Sequence, residues 1–397
     1  MAEYWYTMRD EIFADGLRGR LPRLPADPAE LEQLARQHLP VGLWSFVANG
    51  AGGGRTLAAN RAAFDKWELV PRMLHTDEPL SLRTELLGTR MSAPVLLAPI
   101  GLAGLAHPDG EAAAARVVRE LGLAMALSNS SSLSLEEVAD AAPGAGLWFQ
   151  LHPPKDDELG ASIVRRAEKA GYQGIVVTVD SWTRGWRPAD LDHGYDPFLR
   201  GQGMGTFLAD PVFRRSLPTD VPVGSEPWLA AAAARWREVF GHSSLSYEYF
   251  DRLREATDLP ILIKGVLHPD DAEQAVAHGV SGVVVSNHGG RQLDRSMAAL
   301  DALPAVARQV AGRVPVLFDS GVRSGADAAV ALGLGADAVL LGRPWLYGLA
   351  IDGAEGVRHV LRCVLAELEL TMLMSGAATV ADLRRMVSPV RGRADER

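Results

Sequence analysis

Eight short apolar runs recur along the chain, each followed by glycine or polar residues and then by a helical pattern. They are Val95–Ala98, Ala124–Leu127, Leu147–Leu151, Gly174–Val179, Ile261–Lys264, Gly282–Ser286, Val314–Phe318 and Ala338–Leu341. Polar and apolar positions do not alternate within these runs, which is typical of strands buried on both faces in a parallel sheet. The pattern therefore predicts eight buried parallel strands.

Helical patterns fill the intervals between the apolar runs. They are predicted at 108–121, 135–142, 157–171, 246–257, 269–279, 299–311 and 324–334, with a long helix after Gly356. Ser134 with Glu137, and Ser324 with Asp327, have the spacing of capping boxes. Consecutive βα units that repeat evenly predict an α/β fold of the TIM (β/α)8 barrel type, with a doubly wound sheet as the alternative.

Two parts of the chain interrupt the βα repeat. Residues 1–90 precede the first strand, and we expect an N-terminal helical segment packed on a barrel of residues 91–397. A second interruption, residues 181–245, is rich in glycine, proline and aromatic residues. Long connections in compact domains are usually functional lids or disordered segments. Because this one follows strand 4 at the rim of the barrel, we predict a lid loop over the active site.

Composition narrows the class of protein. The 397 residues are 47% hydrophobic and 22% charged, as in globular enzymes, and the net charge of −9 argues against nucleic acid as a partner. Cys363 is the only cysteine, which excludes an intrachain disulfide and a cysteine-rich metal site, and we expect no metal. The N-terminus lacks the apolar stretch of a signal peptide, and no apolar run is long enough to span a membrane. We therefore expect a cytoplasmic protein.

The segment Ser286-Asn287-His288-Gly289-Gly290-Arg291 follows a predicted strand and carries the clearest chemistry. An imidazole can accept a proton near neutral pH, and a guanidinium can hold a carboxylate through two hydrogen bonds. Asp180, at the end of strand 4, can orient His288, while Arg187 offers a second cation for an acidic substrate. The alternative is that His288 caps a helix and Arg291 is a surface charge. The wider group of polar residues at strand ends favours a catalytic site.

Three further strand ends indicate an anionic cofactor or substrate. The loops after strands 7 and 8 form the common phosphate site of this fold, and here they contain Arg323 and Arg343. Lys264 closes strand 5, where a buried cation requires an anionic partner. Its amine can serve as a Schiff-base nucleophile or can stabilise a developing negative charge.

With these motifs the chain resembles the FMN-dependent L-2-hydroxy acid oxidising family. The resemblance covers nearly the whole chain and is most specific at Ser286–Gln292, Asp319–Arg323 and Gly342-Arg343-Pro344. The stretches Gly185–Pro188, Pro197–Gly201 and Asp210–Phe213 are most similar to those of the lactate 2-monooxygenases. The resemblance implies an FMN-dependent oxidoreductase that converts a 2-hydroxy acid to the 2-oxo acid with O2 as acceptor, with oxidative decarboxylation as an additional step in the monooxygenases.

The resemblance also implies roles for individual residues. His288 would be the base, oriented by Asp180; Arg187 and Arg291 would bind the carboxylate, with Phe46 and His152 beside them; and Lys264 would stabilise negative charge on the flavin. Cofactor binding is implied for Pro99, Ile100, Gly101, Ser128, Gln150, Thr178, Lys264, Ser286, Asp319, Gly321, Arg323, Gly342 and Arg343. We further expect a homo-oligomer, tetrameric or octameric as is usual in the family.

Two positions depart from the family pattern. Phe46 and His152 stand where the family has tyrosines that help to bind the substrate, and Gly53-Gly54 replaces a usual acidic pair. These replacements predict a substrate that is larger, aromatic or modified at its carboxylate; the alternative is that the positions have drifted and the usual activity is weakened. Two other classes of function remain as alternatives: a flavin-free phosphate-binding lyase or aldolase that uses Lys264, and a catalytically inactive barrel that serves as a binding protein.

Overall fold

A computed structural model describes residues 4–74, 79–241 and 245–390 of the chain. Residues 242–244 of the predicted lid, and the short segments 1–3, 75–78 and 391–397 of the two predicted domains, lie outside the described residues. Within the described parts, no helix is both long enough and apolar enough to cross a membrane.

Eight parallel strands close into a barrel, as predicted. They are β1 (Val95–Leu97), β2 (Ala124–Ser128), β3 (Gly146–Leu151), β4 (Ile175–Thr178), β5 (Ile261–Val266), β6 (Gly282–Val285), β7 (Val316–Phe318) and β8 (Ala338–Leu341). Each strand pairs with the next along the chain, and β8 closes the circle on β1 with Leu341 opposite Leu97. Closure rules out the doubly wound sheet.

The side chains of the strands divide between two cores. Leu96, Val176 and Leu262 belong to a cluster inside the barrel, whereas Leu97 and Val177 belong to the larger cluster that also contains the helices. This alternation follows from the two-residue repeat of a strand. Trp148 is the largest side chain of the interior cluster, and its indole N–H donates to Thr89 Oγ1 at 2.9 Å, so its polar atom is satisfied.

Helices cover the outside of the barrel. They are Gly110–Leu121, Leu135–Ala141, Asp157–Lys169, Glu248–Arg254, Pro269–Ala277, Ala299–Val310, Gly325–Gly333 and Arg343–Ser375. Both predicted capping boxes form, at Ser134 and at Ser324. The last helix begins at Arg343, earlier than predicted, and has non-helical backbone at Asp352 and Gly353. Its second part corresponds to the helix predicted after Gly356.

The N-terminal segment contains the helices Tyr4–Gly16, Pro28–His38, Val41–Ala48 and Arg55–Ala62. It also contains β structure that the sequence pattern did not predict. Trp67–Leu69 pairs with Val387–Pro389, and Thr84–Leu86 forms a hairpin with Thr89–Met91. The division of the chain at residue 90 stays a prediction.

The connection after β4 is folded rather than extended. It contains the helices Pro188–Asp192, Gly205–Leu208, Pro211–Arg215 and Glu226–Val239, and the 3-10 turn Pro197–Arg200. Gly185 allows this segment to lie against the loop after β6, because a Cβ at this position would collide with the carbonyl oxygens of Arg291 and Gln292. The close approach brings lid residues to the mouth of the barrel.

Candidate active site

The carboxyl ends of the strands surround one cavity of about 190 Å³. Most of the predicted site residues line it: Phe46, Pro99, Ile100, Gly101, Ser128, Gln150, His152, Thr178, Arg187, Lys264, His288, Arg291, Asp319, Gly321, Arg323, Gly342 and Arg343. Asp180 and Ser286 do not line the cavity and instead contact residues that do. The structure therefore brings the predicted residues together, with these two in supporting positions.

His288 and Asp180 form a hydrogen-bonded pair at the cavity. His288 Nδ1 donates to Asp180 Oδ1 at 2.9 Å, and 27% of the histidine side chain is exposed, on the cavity side. The residue has left-handed backbone (φ 57°), and its N–H donates to Ser286 Oγ at 3.0 Å. Burial lowers the pKa of His288, and the Asp180 carboxylate offsets part of that effect. These contacts favour the neutral form of His288, and its Nε2, which makes no hydrogen bond to the described residues, can accept a proton.

Lys264 is a buried cation with an anionic partner. Its Nζ lies 2.7 Å from Asp319 Oδ2 and donates to Ser286 Oγ at 2.8 Å. Burial lowers its pKa, but the charges of Asp319 and Asp180 outweigh burial, so the pKa of Lys264 is raised overall. The ammonium therefore stays charged, which suits stabilisation of negative charge and does not suit a Schiff-base nucleophile.

Two arginines flank the aromatic ring of Phe46. The guanidinium carbon of Arg291 lies 5.1 Å from the ring centroid, and that of Arg187 lies 5.8 Å from it. Arg291 donates to the carbonyl oxygens of Val47 and Asn49, and Arg187 Nη2 donates to Gln292 Oε1 at 2.9 Å. Burial lowers the pKa of both guanidinium groups. Two buried guanidinium groups in this arrangement can hold a small carboxylate.

A second cluster of positive charge lies at the ends of β7 and β8. Arg343 donates to the carbonyl oxygens of Val47 and Gly289, and Arg323 donates to that of Val322. Neither arginine forms an ion pair with the described residues. Helix Arg343–Ser375 begins here without a side-chain cap, so its free N–H groups add positive potential. The donors match those that bind a phosphate.

Two buried polar atoms at the strand ends that line the cavity lack partners among the described residues. They are Gln150 Nε2 at the end of β3 and Thr178 Oγ1 at the end of β4. Unsatisfied buried donors cost about 1–3 kcal/mol each, so they are normally matched by a ligand or water. A flavin ring supplies carbonyl oxygens and ring nitrogens for such donors. Together with Arg323 and Arg343, these residues fit FMN.

Both ring nitrogens of His152 are already hydrogen-bonded to the protein, unlike those of a side chain that donates to a substrate. Its Nδ1–H donates to Asn129 Oδ1 at 2.9 Å, and its Nε2 accepts from the Ser181 hydroxyl at 2.9 Å. Burial, with His288 nearby, lowers the pKa of His152 to about 3. Although the ring lines the cavity, 6.4 Å from that of His288, neither nitrogen is free to donate to a substrate. It presents a neutral aromatic surface instead.

The lid adds an aromatic wall whose membership the sequence did not reveal. Phe198 stacks on Trp236 with ring centroids 4.7 Å apart, and Trp236 stacks on Phe240 at the same separation. Phe46 meets one end of this stack at 6.4 Å from Phe198, and His152 meets the other end at 5.8 Å from Phe240. All five rings line the cavity. Aromatic residues are abundant in the lid sequence, but only the fold selects the three that face the site.

Comparison with known proteins places this site in a family. Residues 35–389 match the family model of the FMN-dependent dehydrogenases. The chain is 42% identical to L-lactate oxidase of Lysinibacillus sphaericus, with 90% of each chain covered. It is 41% identical to human 2-hydroxyacid oxidase 1, with 88% of this chain and 93% of the relative covered. A crystal structure of mandelate oxidase superimposes with a TM-score of 0.80 at 36% identity, covering 93% of this chain and 99% of the other.

The chain therefore belongs to the FMN-dependent 2-hydroxy acid oxidase and dehydrogenase family. It is an oxidoreductase that uses FMN to oxidise 2-hydroxy acids to 2-oxo acids. This excludes both alternatives, the flavin-free lyase or aldolase and the inactive binding protein. The similarity to an L-lactate oxidase does not single out the lactate 2-monooxygenases within the family.

Proposed function

We propose that the enzyme oxidises a 2-hydroxy acid with a bulky aromatic side chain and an unmodified carboxylate. Arg187 and Arg291 bind the carboxylate beside Phe46, and the hydroxyl group lies at His288. The side chain on the same carbon is then directed to the remaining wall of the cavity, which consists of the lid aromatics. The observation that carries the proposal is the continuous row of rings from Phe46 to His152.

We assign the chemical roles as follows. His288 takes the hydroxyl proton on Nε2, and the Asp180 carboxylate stabilises the imidazolium that results. FMN, when held at this site, would supply the acceptor for the hydride lost from the hydroxyl-bearing carbon, and O2 would then take up the two electrons. Lys264 keeps its charge because Asp319 lies beside it, and it stabilises negative charge at the flavin site. Arg323 and Arg343 hold the phosphate with the N-terminus of helix Arg343–Ser375.

We assign the remaining predicted residues to contacts with the flavin ring and its ribityl chain. They are Pro99, Ile100, Gly101, Ser128, Gln150, Thr178, Asp319, Gly321 and Gly342, which line the cavity, with Ser286 in support behind Lys264. The unpartnered donors of Gln150 and Thr178 are the strongest support for this assignment.

Substrate size supplies a direct test. A phenyl group that becomes buried against the wall contributes about 1.5–3 kcal/mol, which corresponds to roughly 10- to 150-fold in kcat/KM. We therefore expect kcat/KM for 2-hydroxy-2-phenylacetate to exceed that for L-lactate by at least about 10-fold, measured by anaerobic bleaching of the flavin absorbance. A kcat/KM for L-lactate equal to or above that for 2-hydroxy-2-phenylacetate would contradict the proposal.

A pair of lid variants separates this role from general damage to the lid. Phe198→Leu removes one ring of the wall and should lower the preference for the phenyl substrate by about 3-fold or more. Phe207→Leu is the matched control, because Phe207 is also a buried lid residue but contacts Phe213 and does not line the cavity. An equal loss of preference in both variants would assign the effect to lid stability.

Two finer properties of the enzyme are also proposals. The resemblance to the lactate 2-monooxygenases supports decarboxylation of the 2-oxo acid inside the closed site, which predicts the shortened acid and little free hydrogen peroxide. Stoichiometric release of peroxide with intact 2-oxo acid would instead identify a simple oxidase. We also propose a homo-oligomer of four or eight chains. Light scattering coupled to size-exclusion chromatography tests this by measuring the molar mass.

A further inference from the structure

The middle of the aromatic wall, at Phe198 and Trp236, carries hydrogen-bond donors that the reaction itself does not use. The Arg184 guanidinium carbon lies 4.6 Å from the ring centroid of Phe198 and 5.6 Å from that of Trp236. Arg184 lines the same cavity as His288 and Lys264. Its Nη1 donates to Asp196 Oδ2 at 2.5 Å, and its other N–H groups make no hydrogen bond to the described residues.

Trp236, which lines the cavity, adds a second donor. The residue is 2% exposed, and Phe198 and Phe240 cover the two faces of its ring system. Only its edge can therefore contribute to the lining of the cavity. Its Nε1–H is buried and has no hydrogen-bond partner among the described residues. A buried indole N–H normally has a partner, so this donor indicates a ligand atom or an ordered water.

We propose that Arg184 and Trp236 form a distal subsite that binds an uncharged oxygen acceptor on the aromatic side chain of the substrate, such as a methoxy, hydroxyl or carbonyl group. The inference rests on the proposed function, because the aromatic ring of the substrate brings the acceptor to this part of the wall. Both groups donate and neither accepts, which selects an acceptor. Asp196 already neutralises the charge of Arg184, so the subsite is matched to a neutral group rather than to a second carboxylate.

The test compares two aromatic acids of nearly equal size. The probes are 2-hydroxy-2-(4-methoxyphenyl)acetate and its 4-ethylphenyl counterpart, together with the 3-substituted pair. A neutral hydrogen bond typically gives about 2- to 12-fold, so we expect the holoenzyme to favour one methoxy acid over its ethyl partner by roughly 3- to 10-fold in kcat/KM. The same ratio is expected in the dissociation constants of the corresponding 2-oxo acids, measured by calorimetry.

Variants identify the donors through this ratio alone. Trp236→Phe keeps an aromatic ring but removes the N–H, and Arg184→Met keeps the stem but removes the guanidinium; each should bring the methoxy-to-ethyl ratio towards one. Arg215→Met is the matched control, since Arg215 pairs with Glu158 on the lid surface and does not line the cavity. It should leave the ratio at the wild-type value.

Three outcomes would overturn the subsite. They are a wild-type ratio near one at both ring positions, a ratio that persists in both donor variants, and a 4-carboxyphenyl acid preferred over the methoxy acid by more than about 10-fold. A failure of the proposed function looks different, because it appears as no gain of phenyl over methyl. The methoxy-to-ethyl ratio stays readable in that case, since it compares two aromatic acids with each other.

Discussion

The pair of Asp180 and His288 gives the sharpest test of the proposed chemistry. Asp180→Asn keeps an oxygen that can accept from His288 Nδ1 across the present 2.9 Å, so the ring orientation is preserved while the charge is lost. A hydrogen bond to a charged group contributes about 1.5–3 kcal/mol and a neutral one about 0.5–1.5 kcal/mol. The difference of roughly 1–2 kcal/mol predicts a 5- to 30-fold slower reduction of the flavin at neutral pH.

The same variant has a signed effect on the pH profile. Burial lowers the pKa of His288 and the Asp180 charge raises it, so removal of that charge lowers the pKa further. A base with a lower pKa stays unprotonated at lower pH. The acidic limb of the reduction rate should therefore move to lower pH in Asp180→Asn, even though the plateau rate falls.

Anaerobic stopped-flow reduction at saturating substrate, repeated across pH, measures both quantities. Asp251→Asn is the matched control, because Asp251 forms an exposed ion pair with Arg254 away from the cavity. The reasoning is refuted if the plateau is unchanged, or if the acidic limb of Asp180→Asn moves to higher pH. Either result would mean that His288 does not act as a base stabilised by this carboxylate.

Three further predictions follow from buried groups at the site. Lys264→Met leaves Asp319 buried without its cation and should lower the free energy of unfolding by about 3–5 kcal/mol in urea titrations. The double variant Lys264→Met with Asp319→Asn should recover most of this loss. Equal instability of the single and double variants would contradict the ion-pair account. His152 has a pKa of about 3 in the folded protein, so the unfolded chain takes up its proton first as the pH falls from about 6.5. The stability lost on acidification, up to about 1.4 kcal/mol per pH unit for this group, should be smaller in His152→Gln, and an unchanged slope would show that the histidine is not buried and neutral. Phe46→Tyr adds a hydroxyl to a ring that lies near both arginines proposed to bind the carboxylate, and it should raise kcat/KM for L-lactate by about 10-fold or more; no gain would mean that this position does not set specificity.

Much of the barrel and of the catalytic centre is encoded locally. The apolar runs and the polar residues that follow them place Lys264, Asp180 and His288 at strand ends, and closure of the barrel then brings all strand ends to one mouth. Glycine and arginine after β7 and β8 likewise indicate the phosphate site. These features are predictable because each depends on a short segment and on a fold rule, without reference to distant partners.

The character of the substrate pocket depends on contacts between distant segments. Arg343 donates to the carbonyl oxygens of residues 47 and 49. Asn129 and Ser181 occupy both ring nitrogens of His152, so this side chain has no N–H left to donate to a substrate. The lid sequence contains many aromatic residues, but it has no periodic pattern that says which of them face the cavity. Phe198, Trp236 and Phe240 are selected by the packing of the lid on the barrel. The strand pattern and the motifs at strand ends predict the barrel and its FMN-dependent family, and they locate His288 as the candidate base. The wall of the pocket depends on the tertiary structure, because side-chain packing across a long connection leaves no local signal.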